Sequence, residues 1–363
     1  MNPARKEGDP SSLPVASAER SSAGSVFVTR RIPEAGLALL REAGAAVEVG
    51  EVEDERGIAR ERLLGGVRRA DVLLALLTET IDREVLEANP HLLGVANLAV
   101  GFDHVDVAAA TELGIPVTNT PGVLTETTAD LTWAMLLAVA RRIPEAHAYT
   151  VEGRYRIWSP NLMLGSDVGP GAHGRRKVLG VVGFGRIGRA VARRAVGFDM
   201  EVVAYDPHGR EAVEASGIAR WAELDELLGR SDFVTLHPVL TPETRHLIGA
   251  RELRRMKETA YLVNVSRGPV VHEEALVRAL REGWIAGAAL DVFENEPELA
   301  PGLVELPNVV LAPHVGSGSR ETRDLMATMA ATNALHHLRR ERAPDAVNPE
   351  VYDSAAYRRR TSR

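Results

Sequence analysis

The stretch VLGVVGFGRIGRAVARRAVGFDMEVVAYDP, residues 178–207, changes its pattern three times and decides the fold. Residues 178–182 are an apolar run typical of a buried strand. GFGRIG follows at residues 183–188 and fits Gly-x-Gly-x-x-Gly. RIGRAVARRAV then predicts a helix, and residues 201–205 predict the next strand. This order of elements predicts a βαβ unit whose two strands are parallel.

The glycine loop predicts a site for a dinucleotide. Gly183, Gly185 and Gly188 permit a tight turn and a close approach of the backbone to a pyrophosphate, whose charge is stabilised by the helix N-terminus. Asp206 ends the second strand, 18 residues beyond Gly188, where it would accept hydrogen bonds from ribose hydroxyls. The alternative is a βαβ unit without a ligand. A glycine-rich turn alone is weak evidence, but strand, loop, helix and acid are all present, so binding is favoured.

The acid at the second strand also predicts which dinucleotide binds. A 2′-phosphate beside Asp206 would experience repulsion between like charges, so NAD is favoured over NADP. His208 and Arg210 lie nearby in the sequence and weaken the exclusion of NADP.

The composition narrows the possible classes of protein. A length of 363 residues favours two domains, and 45% hydrophobic with only 4% aromatic residues predicts an aliphatic core. The net charge of −7 gives no reason to expect a nucleic acid or an anionic membrane as a partner. The chain has no cysteine, which excludes disulfides, cysteine–zinc sites and cysteine nucleophiles.

The two ends of the chain differ from the rest. The sequence has no run of 18 apolar residues to span a membrane, and residues 1–24 lack the apolar core of a signal peptide. We therefore expect a disordered tail at residues 1–24 and a cytoplasmic protein. Residues 350–363, which end in AAYRRRTSR, predict a short, solvated basic tail.

Alternation of strand and helix patterns extends outward from the glycine loop in both directions. Strand-like runs and helical patterns alternate from residue 26 to residue 119, and again from residue 178 to about residue 314. This alternation predicts an α/β protein with two units, each a parallel sheet. Residues 320–340 predict one helix that returns to the first unit. Residues 127–150 predict a long helix that Pro144 breaks or kinks.

Three polar residues follow strand-like runs of the second unit. Arg267 follows YLVNVS, Asp291 follows GAAL, and His314 follows NVVLAP. The carboxyl ends of parallel strands lie at one edge of a sheet, and ligands bind at that edge. Each residue alone is more often structural or solvated. Three of them at the edge that also carries the glycine loop predict an active site.

The chemistry of these side chains predicts transfer of a hydride to a ketone. Reduction requires a proton on the ketone oxygen, and His314 can deliver a proton near neutral pH. A carboxylate beside the imidazole would orient it and favour its protonated form, and Glu296 in the segment DVFENEP is the candidate. Arg267 can hold a substrate carboxylate with its planar fork and polarise the carbonyl.

Several further motifs resemble those of the D-isomer-specific 2-hydroxyacid dehydrogenases. The resemblance covers residues 26–350 and is carried by these segments: AVGFDHVDVAAATELGIPVTNTPG, TTADLTWAMLLAVARR, LGVVGFGRIG, LTPETRHLI, NVSRGPVV, EGWIAGAALDVFENEP and LPNVVLAPHVGS. LLTETID and the WSP and LGSDV segments are most similar to glyoxylate and hydroxypyruvate reductases. The resemblance implies two Rossmann-like, doubly wound domains with a cleft between them. It places a flavodoxin-like substrate domain at residues 25–122 plus 315–349 and an NAD domain at residues 123–314.

The resemblance also implies roles for individual residues. Arg267, Glu296 and His314 would be the catalytic set, and the amides of Val100 and Gly101 would hold the substrate carboxylate. The remaining implied contacts are with the cofactor: the Arg186 and Ile187 amides at the pyrophosphate, Asp291 at the nicotinamide carboxamide, and Thr128 and Val265 beside the cofactor. The implied assembly is a homodimer, and the implied reaction is reduction of glyoxylate or hydroxypyruvate with NADH.

A second class of function stays open. The C-terminal-binding co-repressors resemble the same family and sense NAD(H), so the chain is either a reductase or a binding protein on the same scaffold. The presence of Arg267, Glu296 and His314 favours the reductase.

A few positions depart from the family pattern. GPGAHGRR at residues 169–176 lengthens the segment before the glycine-loop strand and predicts a surface bulge. His272 stands where aspartate is usual and predicts a helix start without a catalytic role. We expect His104 at the surface or in a turn.

Overall fold

The computed structural model of the protein describes residues 24–50 and 57–362. The predicted N-terminal tail lies outside the described residues, apart from Gly24. The strands are β1 (Ser25–Val28), β2 (Ala46–Val49), β3 (Val72–Ala75), β4 (Gly94–Asn97), β5 (Val117–Thr118), β6 (Val178–Val182), β7 (Glu201–Tyr205), β8 (Arg220–Trp221), β9 (Phe233–Leu236), β10 (Tyr261–Asn264), β11 (Gly287–Leu290) and β12 (Val309–Leu311).

Helices alternate with these strands along the chain. Short 3-10 helices lie at Val196–Phe198, Gly268–Val270 and Pro349–Asp353. The α-helices are α1 (Glu34–Glu42), α2 (Arg60–Arg69), α3 (Arg83–Glu87), α4 (Val107–Leu113), α5 (Thr125–Ala140), α6 (Ile143–Val151), α7 (Arg186–Ala195), α8 (Arg210–Ala215), α9 (Leu224–Arg230), α10 (Ala250–Arg255), α11 (Glu273–Arg281), α12 (Arg320–Leu338) and α13 (Ala355–Thr361). None of the helices within the described ranges combines the length and apolar character that a membrane span requires.

The strands form two parallel sheets, which confirms the predicted α/β fold. The first has five strands in the order β2-β1-β3-β4-β5, which is the flavodoxin-like order. The second has seven strands in the order β12-β11-β10-β9-β6-β7-β8, which is the Rossmann order with one strand added at its edge. In the second sheet the strand order reverses between β6 and β9, so the carboxyl ends of these two strands define its binding crevice.

Helix α12 belongs to the first sheet, although it follows the second sheet in the sequence. Four of its buried residues are alanines, and these small side chains allow the helix to lie close to the strands. These alanines form a face that packs against apolar side chains of β1, β3 and β4. The buried residues of the contact are Val26, Val28, Val72, Leu74, Ala96, Ala327, Ala330, Ala331 and Ala334.

The second sheet is covered on both faces by helices. On one face α5 and α7 pack against the sheet, and Trp133 of α5 is buried there and donates its indole N–H to the carbonyl of Val191, 3.1 Å away. On the other face α9, α10 and α11 enclose a second aliphatic core. Coverage on both faces explains why the strands read as continuous apolar runs in the sequence.

The predicted break in the long helix is present. Helix α5 ends at Ala140 and α6 begins at Ile143, with Pro144 in its first turn. Arg142 between them has a left-handed backbone, φ 54°, so the chain changes direction at this point.

The prediction of a solvated basic tail at residues 350–363 is wrong for the residues that the structure describes. Residues 349–353 form a 3-10 helix in which Val351 and Tyr352 are buried, and α13 follows. Arg360 of α13 donates hydrogen bonds to the carbonyls of Leu113, Pro90 and Leu92 at 2.9–3.1 Å. These carbonyls lie at the ends of neighbouring elements, so the cation completes their hydrogen bonding instead of facing solvent.

The additional segment at residues 169–176 lies at the amino edge of the second sheet, away from the glycine loop. Arg176 donates to the carbonyls of Asp199 and Met200 at 2.8 and 2.9 Å. Arg175 forms an ion pair with Asp232, which also accepts from Lys257 at 3.0 Å.

Candidate active site

The glycine loop connects β6 to α7, and each of its three glycines meets a different need. Gly183 has φ 87°, and a Cβ there would lie 2.7 Å from backbone atoms of His237 and Pro238. A Cβ on Gly188 would overlap the carbonyl of Gly183. A Cβ on Gly185 would meet nothing within 4 Å, so this glycine faces open space. The first and third glycines are therefore required by packing, and the second leaves room for a ligand.

The start of α7 suits a pyrophosphate. Gly185 is its N-cap residue, and no side chain caps the helix. The first N–H groups, which include those of Arg186 and Ile187, therefore keep their hydrogen-bonding capacity for an anion.

Asp206, at the end of β7, holds the loop with its carboxylate. One oxygen accepts from the Phe184 N–H at 2.9 Å and the other from the His208 N–H at 3.0 Å. Arg210 is directed elsewhere, because its Nε lies 3.0 Å from Glu214 and its guanidinium lies over the ring of Trp221, 4.6 Å from the centroid. The negative charge at the expected ribose position is thus not neutralised by Arg210, which favours NAD.

The residues expected around the nicotinamide are brought together. Asp291 is fully buried after β11 and accepts from the N–H groups of Val315 and Gly316, both at 2.7 Å. Thr128 at the start of α5 donates to the Gly316 carbonyl at 3.1 Å, and Val265 is buried at the end of β10. Burial raises the pKa of Asp291 despite the two N–H donors.

His314 and Glu296 form the predicted pair. His314 Nδ1 lies 2.8 Å from Glu296 Oε2, and the other carboxylate oxygen accepts from the Phe293 N–H at 3.0 Å. Burial opposes ionisation of Glu296, but its hydrogen bond to His314, the charges of His314 and Arg267 and the Phe293 N–H together hold its pKa below the ordinary value. A glutamate that stays ionised fixes the imidazole ring and stabilises its protonated form.

The backbone of His314 is strained. Its φ of 54° is in the left-handed region, where a residue with a Cβ is uncommon. The Asp291 carbonyl accepts from the His314 N–H at 2.8 Å, and the Asp291 carboxylate holds the two following amides. Asp291 thus fixes the loop that presents the imidazole, and strain of this kind is concentrated at functional sites.

Arg267 faces His314 from the loop after β10 and is held by the first unit. Its Nε donates to Asp103 Oδ1 at 3.0 Å, and one Nη donates to the Ser266 carbonyl at 3.0 Å. Burial opposes ionisation of Asp103, but Arg267 outweighs it and lowers the pKa of Asp103. A Cβ on Gly101 would overlap the Arg267 guanidinium, so only glycine permits this approach.

The backbone at Val100 and Gly101 offers N–H groups beside Arg267. The carbonyl of Val100 accepts from Asn119 at 2.8 Å, and that of Gly101 accepts from Asn97 at 2.9 Å. Within the described ranges, no acceptor contacts the N–H of either residue. Two free N–H groups and a guanidinium form a suitable site for a carboxylate.

A cleft of about 160 Å³ lies between the two units. Of the residues that line it, Arg267, Glu296 and His314 come from the second unit, and Leu77, Asp103 and His104 come from the first. His104 lies in a turn, as expected from the sequence, but the sequence did not indicate that the turn lines the cleft. Its turn folds against β4, and burial lowers the pKa of His104 to about 4.

Sequence reasoning missed two partnerships at the cleft. Asp103 was not singled out, although the motif GFDHVD contains it, because its partner lies 164 residues away in the other unit. Glu294, two residues before Glu296, pairs with His246 and accepts from the Glu273 N–H at 3.1 Å, which joins the DVFENEP segment to α11. His272 caps α11 through a hydrogen bond from the Ala275 N–H at 3.2 Å, as predicted.

Known proteins share both the sequence and the fold. The family model described as "D-isomer specific 2-hydroxyacid dehydrogenase, NAD binding domain" matches residues 133–316. The glyoxylate reductase of Korarchaeum cryptofilum is 52% identical over 90% of this chain and 96% of its own. The glyoxylate reductase of Thermococcus gammatolerans is 50% identical over the same shares.

Solved structures agree with these relatives. The TT0316 protein of Thermus thermophilus has a TM-score of 0.80 and 44% identity, covering 89% of this chain and 99% of its own. An NADPH-dependent glyoxylate/hydroxypyruvate reductase of Sinorhizobium meliloti has a TM-score of 0.76 and 32% identity, covering 90% of this chain and 98% of its own. With half of the chain matched by the family model and the relatives covering nine-tenths of it, this protein belongs to the D-isomer-specific 2-hydroxyacid dehydrogenase family.

Proposed function

We propose that this protein reduces a small 2-oxo acid, glyoxylate or hydroxypyruvate, to the D-2-hydroxy acid with NADH. The observation that carries the proposal is the His314–Glu296 pair, which faces Arg267 across one cleft. The curated relatives at 50–52% identity are glyoxylate reductases, which supports this choice of substrate.

The substrate carboxylate is held where the two units meet. Arg267 presents a guanidinium whose Nε is fixed by Asp103 and whose Nη1 donates to the Ser266 carbonyl, which leaves Nη2 for an anion. The N–H groups of Val100 and Gly101 complete the carboxylate site. This places the 2-oxo carbon near His314, and the guanidinium polarises its carbonyl.

The proton comes from His314. When bound, NADH supplies the hydride that reduces the 2-oxo carbon. The second imidazole nitrogen of His314, Nε2, donates its proton to the carbonyl oxygen, so the hydride forms the new C–H bond and the proton forms the O–H bond of the alcohol. Glu296 stabilises the imidazolium before the transfer and orients the neutral ring afterwards.

The residues that would hold NAD(H) fit a dinucleotide. Gly185 leaves open space beside the uncapped start of α7, where the Arg186 and Ile187 amides lie. Asp206 would bind the ribose, and the buried Asp291, Thr128 and Val265 would surround the nicotinamide.

The test measures the loss of NADH absorbance with glyoxylate and with hydroxypyruvate. A reductase turns over steadily, whereas an NAD(H)-sensing binding protein only binds, and saturable binding without turnover would favour the second function. His314→Gln should abolish turnover and keep NADH binding. His173→Gln, at an exposed histidine in the additional segment, is the matched control.

We also propose that the protein is a homodimer joined through residues 143–164. Among the described residues, six of the twelve exposed large apolar side chains lie in this segment: Ile143, Val151, Tyr155, Ile157, Trp158 and Leu164. A concentration of this kind marks a surface that a protein covers. Replacing Ile157 and Trp158 with serine should shift the sedimentation coefficient to that of a monomer, and an unchanged coefficient would contradict the proposal. The cytoplasmic location stays a prediction.

A further inference from the structure

The cleft contains one histidine that the reaction does not use. His104 lies in the turn after β4 and lines the cleft together with Arg267 and His314. It belongs to the first unit, whereas the reacting histidine belongs to the second.

The hydrogen bonds around His104 define which nitrogen carries its proton. Asn97 donates its amide N–H to the Gly101 carbonyl at 2.9 Å, which fixes the orientation of the amide group. The Asn97 oxygen then lies 3.2 Å from His104 Nε2, so Nε2 carries the proton and donates it. Because burial lowers the pKa of His104 to about 4, the ring is neutral at physiological pH. Nδ1 is therefore a hydrogen-bond acceptor.

The other polar side chains of the cleft are already engaged. Glu294 accepts from His246 and from the Glu273 N–H, and Asp103 is neutralised by Arg267. Glu296 accepts from His314 and from a backbone amide. Arg267 and His314 are required for the substrate carboxylate and the carbonyl. Among the described residues that line the cleft, His104 Nδ1 is the neutral side-chain acceptor without a partner.

A neutral acceptor in a cleft with apolar neighbours suits a hydroxyl group. Leu77, Leu240 and Phe293 also line the cleft and offer only apolar surface. Glyoxylate has no carbon beyond the 2-oxo group, whereas hydroxypyruvate has a CH2OH group that can donate a hydrogen bond. A site that provides a partner for a hydroxyl discriminates against a substrate that lacks it.

We infer that His104 is a specificity-determining residue, which accepts a hydrogen bond from the 3-hydroxyl of hydroxypyruvate and so favours it over pyruvate. This inference rests on the proposed reductase function. It assigns no part in hydride or proton transfer to His104.

The experiment compares kcat/KM for hydroxypyruvate and pyruvate, which differ only by the hydroxyl group. His104→Phe keeps a flat ring and removes the acceptor, so the ratio of the two values should fall about tenfold, the size of one lost hydrogen bond. His104→Gln retains an acceptor oxygen and should keep most of the preference. His91→Phe, at an exposed histidine outside the cleft lining, should leave the ratio unchanged.

Two outcomes would overturn the inference. In the first, His104→Phe leaves the ratio of kcat/KM for hydroxypyruvate to kcat/KM for pyruvate unchanged. This includes the case in which both values fall by the same factor because the turn has moved. The other is a wild-type protein that does not prefer hydroxypyruvate to pyruvate. His104→Leu, checked for NADH binding, replaces the phenylalanine variant if that variant does not fold. If the wild-type protein reduces none of glyoxylate, pyruvate and hydroxypyruvate, the reductase proposal fails, and this inference fails with it.

Discussion

Replacing Glu296 with glutamine removes one negative charge from the cleft and keeps the shape of the side chain. The carboxylate lies 2.8 Å from His314 Nδ1. Reduction requires the imidazolium of His314 as an acid, and oxidation of the hydroxy acid requires neutral imidazole as a base. Since one group governs both directions, the variant should move both pH profiles the same way.

The size of the shift follows from the geometry of the pair. Two unit charges about 4 Å apart interact with about 4 kcal/mol at the effective dielectric constant of a protein surface, which corresponds to at most about three pH units. Water screens this interaction, because 25% of the His314 side chain and 31% of the Glu296 side chain are exposed. We therefore expect a shift of about one to two pH units.

The direction is fixed by the sign of the charge. Without the carboxylate the imidazolium is less stable, so reduction should lose its activity at a lower pH than in the wild type. Oxidation should become possible at a lower pH. The assay is kcat/KM against pH in both directions, with NADH binding as a check that the cofactor site is intact.

Glu298→Gln is the matched control, since Glu298 is an exposed glutamate two residues away in the same turn. Its profiles should coincide with those of the wild type. The pairing would be refuted as the basis of proton transfer if a well-folded Glu296→Gln variant kept the pH profiles of the wild type. It would also be refuted if the profiles for reduction and oxidation moved in opposite directions.

Three further predictions concern other residues. Asp206→Ser should reduce the ratio of kcat/KM with NADH to kcat/KM with NADPH by about tenfold, because repulsion of the 2′-phosphate is lost. A wild-type protein that prefers NADPH would contradict the role of Asp206. Arg267→Lys keeps the charge but loses the planar guanidinium fork, so kcat/KM for glyoxylate should fall by about 100-fold while the affinity for NADH changes little. If the variant loses only its affinity for NADH, Arg267 binds the cofactor instead of the substrate. Burial lowers the pKa of His337 to about 3, so His337 binds a proton only on unfolding when the pH lies between its ordinary value and 3. The neutral, buried His337 therefore does not affect stability at pH 7 but lowers it as the pH falls. In urea titrations between about pH 6 and pH 4, the unfolding free energy of the wild type should fall about 1.4 kcal/mol per pH unit more steeply than that of His337→Phe. Equal dependence of the unfolding free energy on pH in the two proteins would show that His337 is not buried as a neutral group.

The parts of the site predicted from the sequence are those that a parallel sheet determines. Strand ends meet at one edge, so Arg267, Asp291 and His314 could be placed together from their positions after apolar runs. The glycine loop was recognisable because its order of strand, loop, helix and acid is local. These predictions needed no knowledge of how the two units face each other.

The parts that were missed depend on contacts between distant segments. Nothing near Asp103 indicates a partner in another unit, and the pattern GFDHVD does not show that His104 turns into the cleft. The C-terminal segment was misread because its arginines suggest solvent, whereas Arg360 finds three carbonyls in the first unit. Charge alone does not predict exposure when backbone acceptors are available.

The return of α12 to the first unit has a consequence for synthesis on the ribosome. The β1–β4 part of the first sheet is made early, but the alanine face that covers Val26, Val28 and Leu74 is made only at residues 327–334. The second unit is continuous and leaves the ribosome complete before that helix. Helix α1, which is made directly after β1, covers part of this face through Leu37 and Leu40, but the part that α12 covers stays exposed until most of the chain has been made. We therefore expect the second unit to complete its core before the first, against the usual order in which the N-terminal domain folds first.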